Sequence, residues 1–396
     1  MAFFPHAMPQ GRTCAVGRID ASPISGVPTP GLRCYGLVPI EGLTGRSLSR
    51  SGRAGGEGVN SGRVTAYDVA GLAGVSQSTV SRVLNGKTSV RPDIRVRVEE
   101  AARKLGYIAN ATASNLRRST TRTIALVVLY DDQEGIGSLN PFYTTLQGHI
   151  SVAANAKGYA VLTSLMSEKM GDVGLVMRGL ADGYIVIGSG RDKVCWDRFR
   201  ALADDGVPVV GWGIASQRLS AISAANFAAA AGAVEHLVDI GCRAIACLSP
   251  RPGDQRQFAD RVEGYRSVMS RCTMKEVVRY SDVPTDRLEQ GFKLMHQVLD
   301  EGAEVDGIFA TCDLMAIGAL RALHERGLRV PGQVALCGFD GIYATRLTNP
   351  SITTVEQDMP GIARRLVSNF IGVSSGDAID TTPVPGKLVI RESTRR

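Results

Sequence analysis

Residues 64–110 read VTAYDVAGLAGVSQSTVSRVLNGKTSVRPDIRVRVEEAARKLGYIAN, and their spacing predicts three short helices. Thr65 with Asp68 three residues on has the form of a capping box and starts a helix at about Ala66. Val69, Ala70 and Ala73 share one face of it. Gly74 supplies the left-handed backbone that a tight helix–helix turn needs. Ser76 caps a second helix over 77–84, with Val80, Val83 and Leu84 inward and Gln77, Ser78, Ser81 and Arg82 outward. Pro92 suits the first turn of a third helix reaching about Leu105, with Val96, Val98, Ala101, Ala102 and Leu105 as its buried side. The outward set of the second helix has the chemistry of a major-groove reader. Amides and hydroxyls near a helix N-terminus can approach base edges, and the Arg82 guanidinium can fork onto guanine or a phosphate. A solvated polar face on a three-helix module is the plainer alternative.

Charge singles out the same segment. The chain has 396 residues and a formal net charge of +7. Residues 63–122 carry 11 basic and 4 acidic side chains, whereas residues 123–396 carry 28 basic and 31 acidic. A compact basic block beside a mildly acidic remainder points to a polyanion partner. Upstream, residues 1–62 are rich in Gly, Ser, Pro and Arg and show no helical or strand period. Such a stretch buries too little apolar area to offset its ordering entropy and is expected to be a disordered extension. The rival reading is an arm that adds non-specific DNA affinity through Arg46, Arg50 and Arg53.

From residue 123 the texture changes to strand-length apolar runs alternating with helical patterns. Strands are expected over 123–129, 159–163, 183–187, 207–210, 221–223, 244–248, 277–280, 307–310 and 334–337. Helices are expected over 142–156, 194–202, 226–240, 258–270, 285–299 and 314–326. This alternation means parallel sheets covered by helices on both faces. Its length exceeds one such sheet, so the fold class is multidomain: an all-α helix-turn-helix headpiece followed by two Rossmann-like α/β subdomains. Ligands in such folds bind beyond the C-terminal strand ends, here in the cleft between subdomains.

Residues 63–122 resemble the headpiece of the LacI/GalR family of bacterial transcriptional regulators. The matching pieces are Tyr67-Asp68-Val69-Ala70, Ala73-Gly74-Val75-Ser76, Thr79 through Asn85, and Leu105-Gly106-Tyr107-Ile108. The resemblance implies base contacts from Gln77, Ser78 and Arg82, and phosphate contacts from Thr65, Ser76, Thr79, Ser81 and Asn85. It also implies a hinge helix within ANATASNLRRS (109–119) that forms on operator DNA. In that hinge Asn110 would open the segment, and Leu116, with Ala113 beside it, would wedge into the minor groove at the centre of the site. Arg117 and Arg118 would hold the adjacent backbone. Ala109 stands where the family usually has proline, which loosens that junction.

The second half resembles the periplasmic-sugar-binding type of effector domain. It does so through Val234-Glu235-His236-Leu237, Arg261 with Gly264-Tyr265, Asp313 with Ala316 and Gly318, Gly338-Phe339-Asp340, and LTNPSITTV (347–355). The resemblance implies that Arg261 and Asp313 hydrogen-bond a small-molecule effector, sugar or nucleoside-like, and that Phe142, Ser189, Trp212 and Tyr280 complete its pocket. Two alternatives stand: Arg261 and Asp313 paired with each other, and Phe142 and Trp212 as ordinary core aromatics. Cys312 and Ala225 replace a usual Asn and a common Asp, which points to a different effector or a weakened response.

The domain limits that follow are 1–62 extension, 63–109 headpiece, 110–122 hinge and 123–396 effector domain. Within the last, one subdomain is expected over about 123–217 and 343–375, and the other over about 218–342 and 376–396. The partners expected are double-stranded operator DNA, the effector and a second copy of the chain. No cofactor, metal or membrane is expected. The eight cysteines form no CxxC pair and read as thiols in a reducing cytosol. No apolar run approaches the roughly 20 residues of a membrane span, and the first residues lack the pattern of a secretory signal. No P-loop, GxGxxG, HExxH or GxSxG motif is expected to carry chemistry here, so catalysis is not expected. A transport binding protein shares the effector fold but predicts a signal peptide and no basic headpiece. The chain ends at VIRESTRR without a leucine heptad, so no coiled-coil tetramer is expected.

Overall fold

The computed structural model describes residues 64–84, 90–107, 120–130, 139–169, 171, 173–188, 193–213, 219–251, 255–281 and 286–395. The expected extension over 1–62 and the expected hinge helix lie outside the described residues. So do Asn85, Asn110, Ala113, Leu116, Arg117 and Ser189.

Three helices form the headpiece: α1 (Ala66–Ala73), α2 (Gln77–Leu84) and α3 (Pro92–Leu105). Thr65 and Asp68 close both halves of a capping box on α1. Gly74 ends α1 at φ 63° and Gly106 ends α3 at φ 61°, both in the left-handed region where a Cβ is costly. Val69, Ala70, Ala73, Val80, Val83, Val98, Ala101 and Ala102 make one small core. Val96, expected inside, is 54% exposed. Two residues from Val98, it points away from the face that Val98, Ala101 and Ala102 share, and Ile94 packs against the core in its place.

The first α/β subdomain contains β1 (Thr123–Leu129), α4 (Pro141–Ala156), β2 (Ala160–Met166), β3 (Tyr184–Gly188), α5 (Lys193–Asp204), β4 (Val209–Trp212) and β5 (Ser220–Ile222). All its strand pairings are parallel, in the order β2-β1-β3-β4-β5. The second contains α6 (Asn226–Asp239), β6 (Ile245–Pro250), α7 (Arg256–Arg271), β7 (Val277–Ser281), α8 (Arg287–Asp300), β8 (Gly307–Ala310), α9 (Asp313–Glu325), β9 (Ala335–Asp340), β10 (Thr353–Gln357) and, later in the chain, β11 (Gly386–Val389). Its sheet runs β11-β10-β9-β8-β6-β7, antiparallel only at β10–β11. Helix α10 (Met359–Ser375) returns to the first subdomain, where Ile362, Leu366 and Phe370 join the core of Leu126, Leu146 and Ile150.

These pairings shift two of the expected limits. Strand β5 belongs to the first sheet, although residues from 218 on were expected in the second subdomain. Strand β10 pairs with β9 in the second sheet, although 343–375 was expected in the first. Its sequence, TTVEQ, has no apolar run, and it is buried because Thr353 and Thr354 find hydroxyl, carbonyl and carboxylate partners.

Glycines set the closest helix contacts. A Cβ at Gly264 of α7 would collide with the Phe227 carbonyl of α6. Cβ atoms at Gly291 of α8 and Gly318 of α9 would collide with the carbonyls of Met315 and Leu288. The helices in each pair therefore meet backbone to backbone.

In both sheets the strand order reverses beside the first strand of the set, β1 in one and β6 in the other. Crevices open at the C-terminal ends of strands at such switch points. The segments leaving β1 and β6 both reach the same cleft.

Candidate nucleic-acid interface and ligand cleft

Helix α2 buries Val80 and Val83 and leaves Ser78 and Arg82 exposed, with Gln77, Thr79 and Ser81 partly so. Ser76 starts it: its Oγ accepts from the Thr79 N–H at 3.3 Å and lies 2.9 Å from the hydroxyls of both Ser78 and Thr79. Those three hydroxyls form one cluster at the helix N-terminus, where N–H groups and the helix dipole favour an anion. The Thr65 hydroxyl lies 2.7 Å from the Asp68 carboxylate and accepts from the Asp68 N–H, so it serves the cap of α1. The Thr65 backbone N–H, donating to the same carboxylate at 2.7 Å, and then the Thr65 hydroxyl hold the Asp68 carboxyl below the usual carboxylate range.

The cleft lies between the subdomains and encloses about 770 Å³, part of it open to solvent. Its first-subdomain wall is aromatic. Phe142 and Trp212 stack with centroids 6.4 Å apart and planes at 24°, and Tyr143 meets Phe142 edge-on. Asn140 positions them, its Oδ1 accepting from the Phe142 N–H at 3.0 Å to cap α4.

The opposite wall is polar. Arg261, 4% exposed, donates through Nε to Asn226 Oδ1 at 2.9 Å and through Nη1 to the Thr311 carbonyl at 2.7 Å. The same Nη1 stands 3.0 Å from Asp340 Oδ1, and the guanidinium lies 3.8 Å over the Phe339 ring. Gln357 Nε2 also donates to Asp340 Oδ1, at 2.9 Å, while its buried Oε1 has no protein partner. Asp340 holds φ at 114°, unusual for a residue with a Cβ. Burial pushes its carboxyl up, and Arg261 pulls it back towards the ionised form. Arg287, from the first turn of α8, donates to Gln290 Oε1 at 2.8 Å and lies over Phe258.

Of the residues expected in the pocket, Phe142, Trp212 and Arg261 line the cleft. Asp313 does not. Its Oδ1 accepts from Thr354 Oγ1 at 2.6 Å and its Oδ2 from the Ile342 N–H at 2.8 Å, so it anchors the turn that follows Asp340. Its pairing with Arg261, the alternative reading, is taken by Asp340. Tyr280 also stands outside the lining, on β7, where burial raises its hydroxyl. The cleft residues not singled out from sequence include Tyr143, Gln255, Gln257, Arg287 and Gln357. Asp340 sits in the Gly338-Phe339-Asp340 motif that carried the resemblance, and so was within reach. Arg287 and Gln357 lie in no such motif.

Among the described residues no enzyme constellation replaces this reading. Against the expectation that no GxSxG occurs, residues 372–376 read GVSSG, but they close α10, where Ser374 Oγ donates to the Phe370 carbonyl, and so form no nucleophile elbow. Among the described residues no group of three His, Cys, Asp or Glu is placed to hold a metal. No described helix is long and apolar enough to cross a membrane.

A helix-turn-helix followed by a two-subdomain ligand cleft defines a DNA-binding, ligand-responsive regulator, and comparison with known proteins gives the same class. Residues 65–110 match the model of bacterial regulatory proteins of the lacI family, and residues 234–394 match the periplasmic binding protein-like domain. The HTH-type transcriptional regulator CelR of Thermobifida fusca is 31% identical over 348 residues, covering 84% of this chain and 98% of the relative. The ribose operon repressor of Halalkalibacterium halodurans is 30% identical over 339 residues, with 84% and 97% covered. Among solved structures, the lac repressor dimer bound to operator and the anti-inducer ONPF aligns with a TM-score of 0.70 at 27% identity, covering 84% and 99%. The CelR–cellobiose complex aligns with a TM-score of 0.60 at 29% identity, covering 84% and 100%. This chain belongs to the LacI family and is a DNA-binding transcriptional regulator, not an enzyme.

Proposed function

We propose that the chain is a cytosolic, nucleoid-associated repressor. As a homodimer it holds a pseudo-palindromic operator and responds to a sugar or nucleoside-like effector. The observation that carries the DNA half is the exposed polar face of α2 over a buried Val80–Val83 side. In this reading Gln77, Ser78 and Arg82 meet base edges, while Thr65, Ser76, Thr79, Ser81 and Asn85 hold phosphates. Asn110, Ala113, Leu116 and Arg117 serve the central minor groove. The operator-bound lac repressor dimer among the structural relatives supports two such headpieces acting together.

A dimer also accounts for the edge of the first sheet. Strand β2 pairs on one side only and exposes Leu162 (38%) and Leu165 (39%), and Val152 of α4 is 70% exposed. A second copy would cover that edge.

For the effector, an aromatic wall facing Arg261, Asp340 and an unpartnered Gln357 carbonyl suits a ring with apolar faces and several hydroxyls. Asp340 takes the role that the resemblance implied for Asp313. Effector binding would change the angle between subdomains and so the hinge spacing, altering DNA affinity by a coupling free energy.

The test is a gel shift on duplexes selected from a random pool by the wild-type chain. Arg82→Ala should weaken binding by about 1–3 kcal/mol and relax one base position in each half-site. Leu116→Ser should lower specific far more than non-specific binding. An Arg82→Ala chain that binds the selected duplex as the wild type does would remove α2 from the groove.

A further inference from the structure

We infer that Arg97 is a positioning residue for DNA reading: reaching from α3, it clamps the turn that aims α2. Helix α1 ends with carbonyls that its own backbone cannot satisfy. The Gly74 and Val75 N–H groups take up Ala70 and Gly71, and nothing in the turn donates to Ala73. Arg97 does. Its Nε donates to the Ala73 carbonyl at 3.1 Å, and its Nη2 donates to the Ala73 carbonyl and, at 3.2 Å, to the Gly74 carbonyl. Helix α1 has no basic side chain in its last turn, so this guanidinium is also the cation at the negative end of its dipole.

The clamp sits one residue before Val75 and two before Ser76, whose hydroxyl and carbonyl start α2. Gly74 keeps the site open, because a Cβ there would stand 3.0 Å from Arg97 Nη2 in a left-handed turn. Val98, the next residue on α3, sits in the shared core with Val80 and Val83. One side of α2 is thus held by packing and its N-terminal entry by Arg97. Nη2 bonds both carbonyls while Nε holds Ala73 as well, so two nitrogens of one rigid plane fix the approach, where an ammonium group would be a single rotating donor centre.

This inference rests on α2 being the groove helix, and its test separates the two ideas. The wild-type full-length chain is first used to select a duplex from a random pool; failure to select any would count against the groove reading itself. Arg97→Met, which keeps the aliphatic stem, and Arg97→Lys are then compared with wild type on that duplex and on poly(dI-dC), across a salt series. All three proteins are measured at a temperature where circular dichroism shows each one folded.

The expected result for Arg97→Met is a roughly tenfold loss on the selected duplex, the size of one lost hydrogen bond from a charged donor. Binding to poly(dI-dC) and the salt slope should stay as in wild type, and Arg97→Lys should recover part of the loss. Two outcomes would overturn the clamp. Equal losses on both DNAs with a salt slope smaller by about 0.9 would make Arg97 a direct phosphate contact. Unchanged affinity on the selected duplex, with only a lower melting temperature, would leave it a stabilising residue without influence on reading.

Discussion

Asp313 holds the turn after Asp340 rather than the cleft that its resemblance implied. Its carboxyl is fully buried and pushed up to about 8, first by burial and then by the neighbouring Asp340, against hydrogen bonds from Thr354 and Ile342. Folding therefore favours the protonated acid. Between the unfolded value near 3.8 and about 8 the native state binds more protons than the unfolded one, so this group's contribution to stability falls as pH rises through that window. Urea titrations at pH 5 and pH 8 should show a larger drop for wild type than for Asp313→Asn, and equal drops would remove Asp313 as the cause. From sequence, Arg261 was legible because an arginine on a helix before Gly264-Tyr265 is tied to a motif. Asp340 was quoted in a motif without a role, because only the fold shows which carboxylate reaches the guanidinium. Arg287 and Gln357 were not legible at all: a single polar residue on a helix or strand carries no periodic signal.

At the scale of elements, apolar runs and turn residues did most of the work. The runs TIALVVL and GIFA gave β1 and β8 to the residue, since a strand buried on both faces has to be continuously apolar. Strand β10 was missed for the converse reason, its buried threonines being satisfied by distant partners. Helix α10 and strand β11 were not read either. Val96 was placed inside because composition, rather than angle around the helix, decided it. The close crossing of α6 and α7 gives a sharper expectation. Gly264→Val should force the helices apart and lower unfolding stability by about 1–3 kcal/mol in chemical denaturation. A change within about 0.5 kcal/mol would mean that the contact relaxes freely.

For the whole molecule, alternating strands and helices fixed the two-sheet architecture, and the family relationship bears out the headpiece-plus-cleft reading. The subdomain limits needed strand pairing, because the chain crosses between subdomains more than once and no local pattern marks a crossing. The proposed dimer has its own measurement. Leu162→Asp with Leu165→Asp should shift sedimentation from dimer to monomer and abolish binding to a full palindrome while sparing the fold. A dimer of unchanged affinity would place the interface elsewhere.

The glycine contact between α8 and α9 has a mechanical meaning. Two helices welded backbone to backbone cannot slide past each other, so they move as one rigid beam. One end of α8 carries Arg287 at the cleft; the other, 14 residues on, ends at Asp300, which pairs with Arg326 just beyond α9. At 1.5 Å per residue the beam is about 20 Å long, so a tilt of about 5° at the cleft displaces its far end by nearly 2 Å. A ligand that only nudges Arg287 thus has a lever long enough to be felt on the outer surface of the molecule.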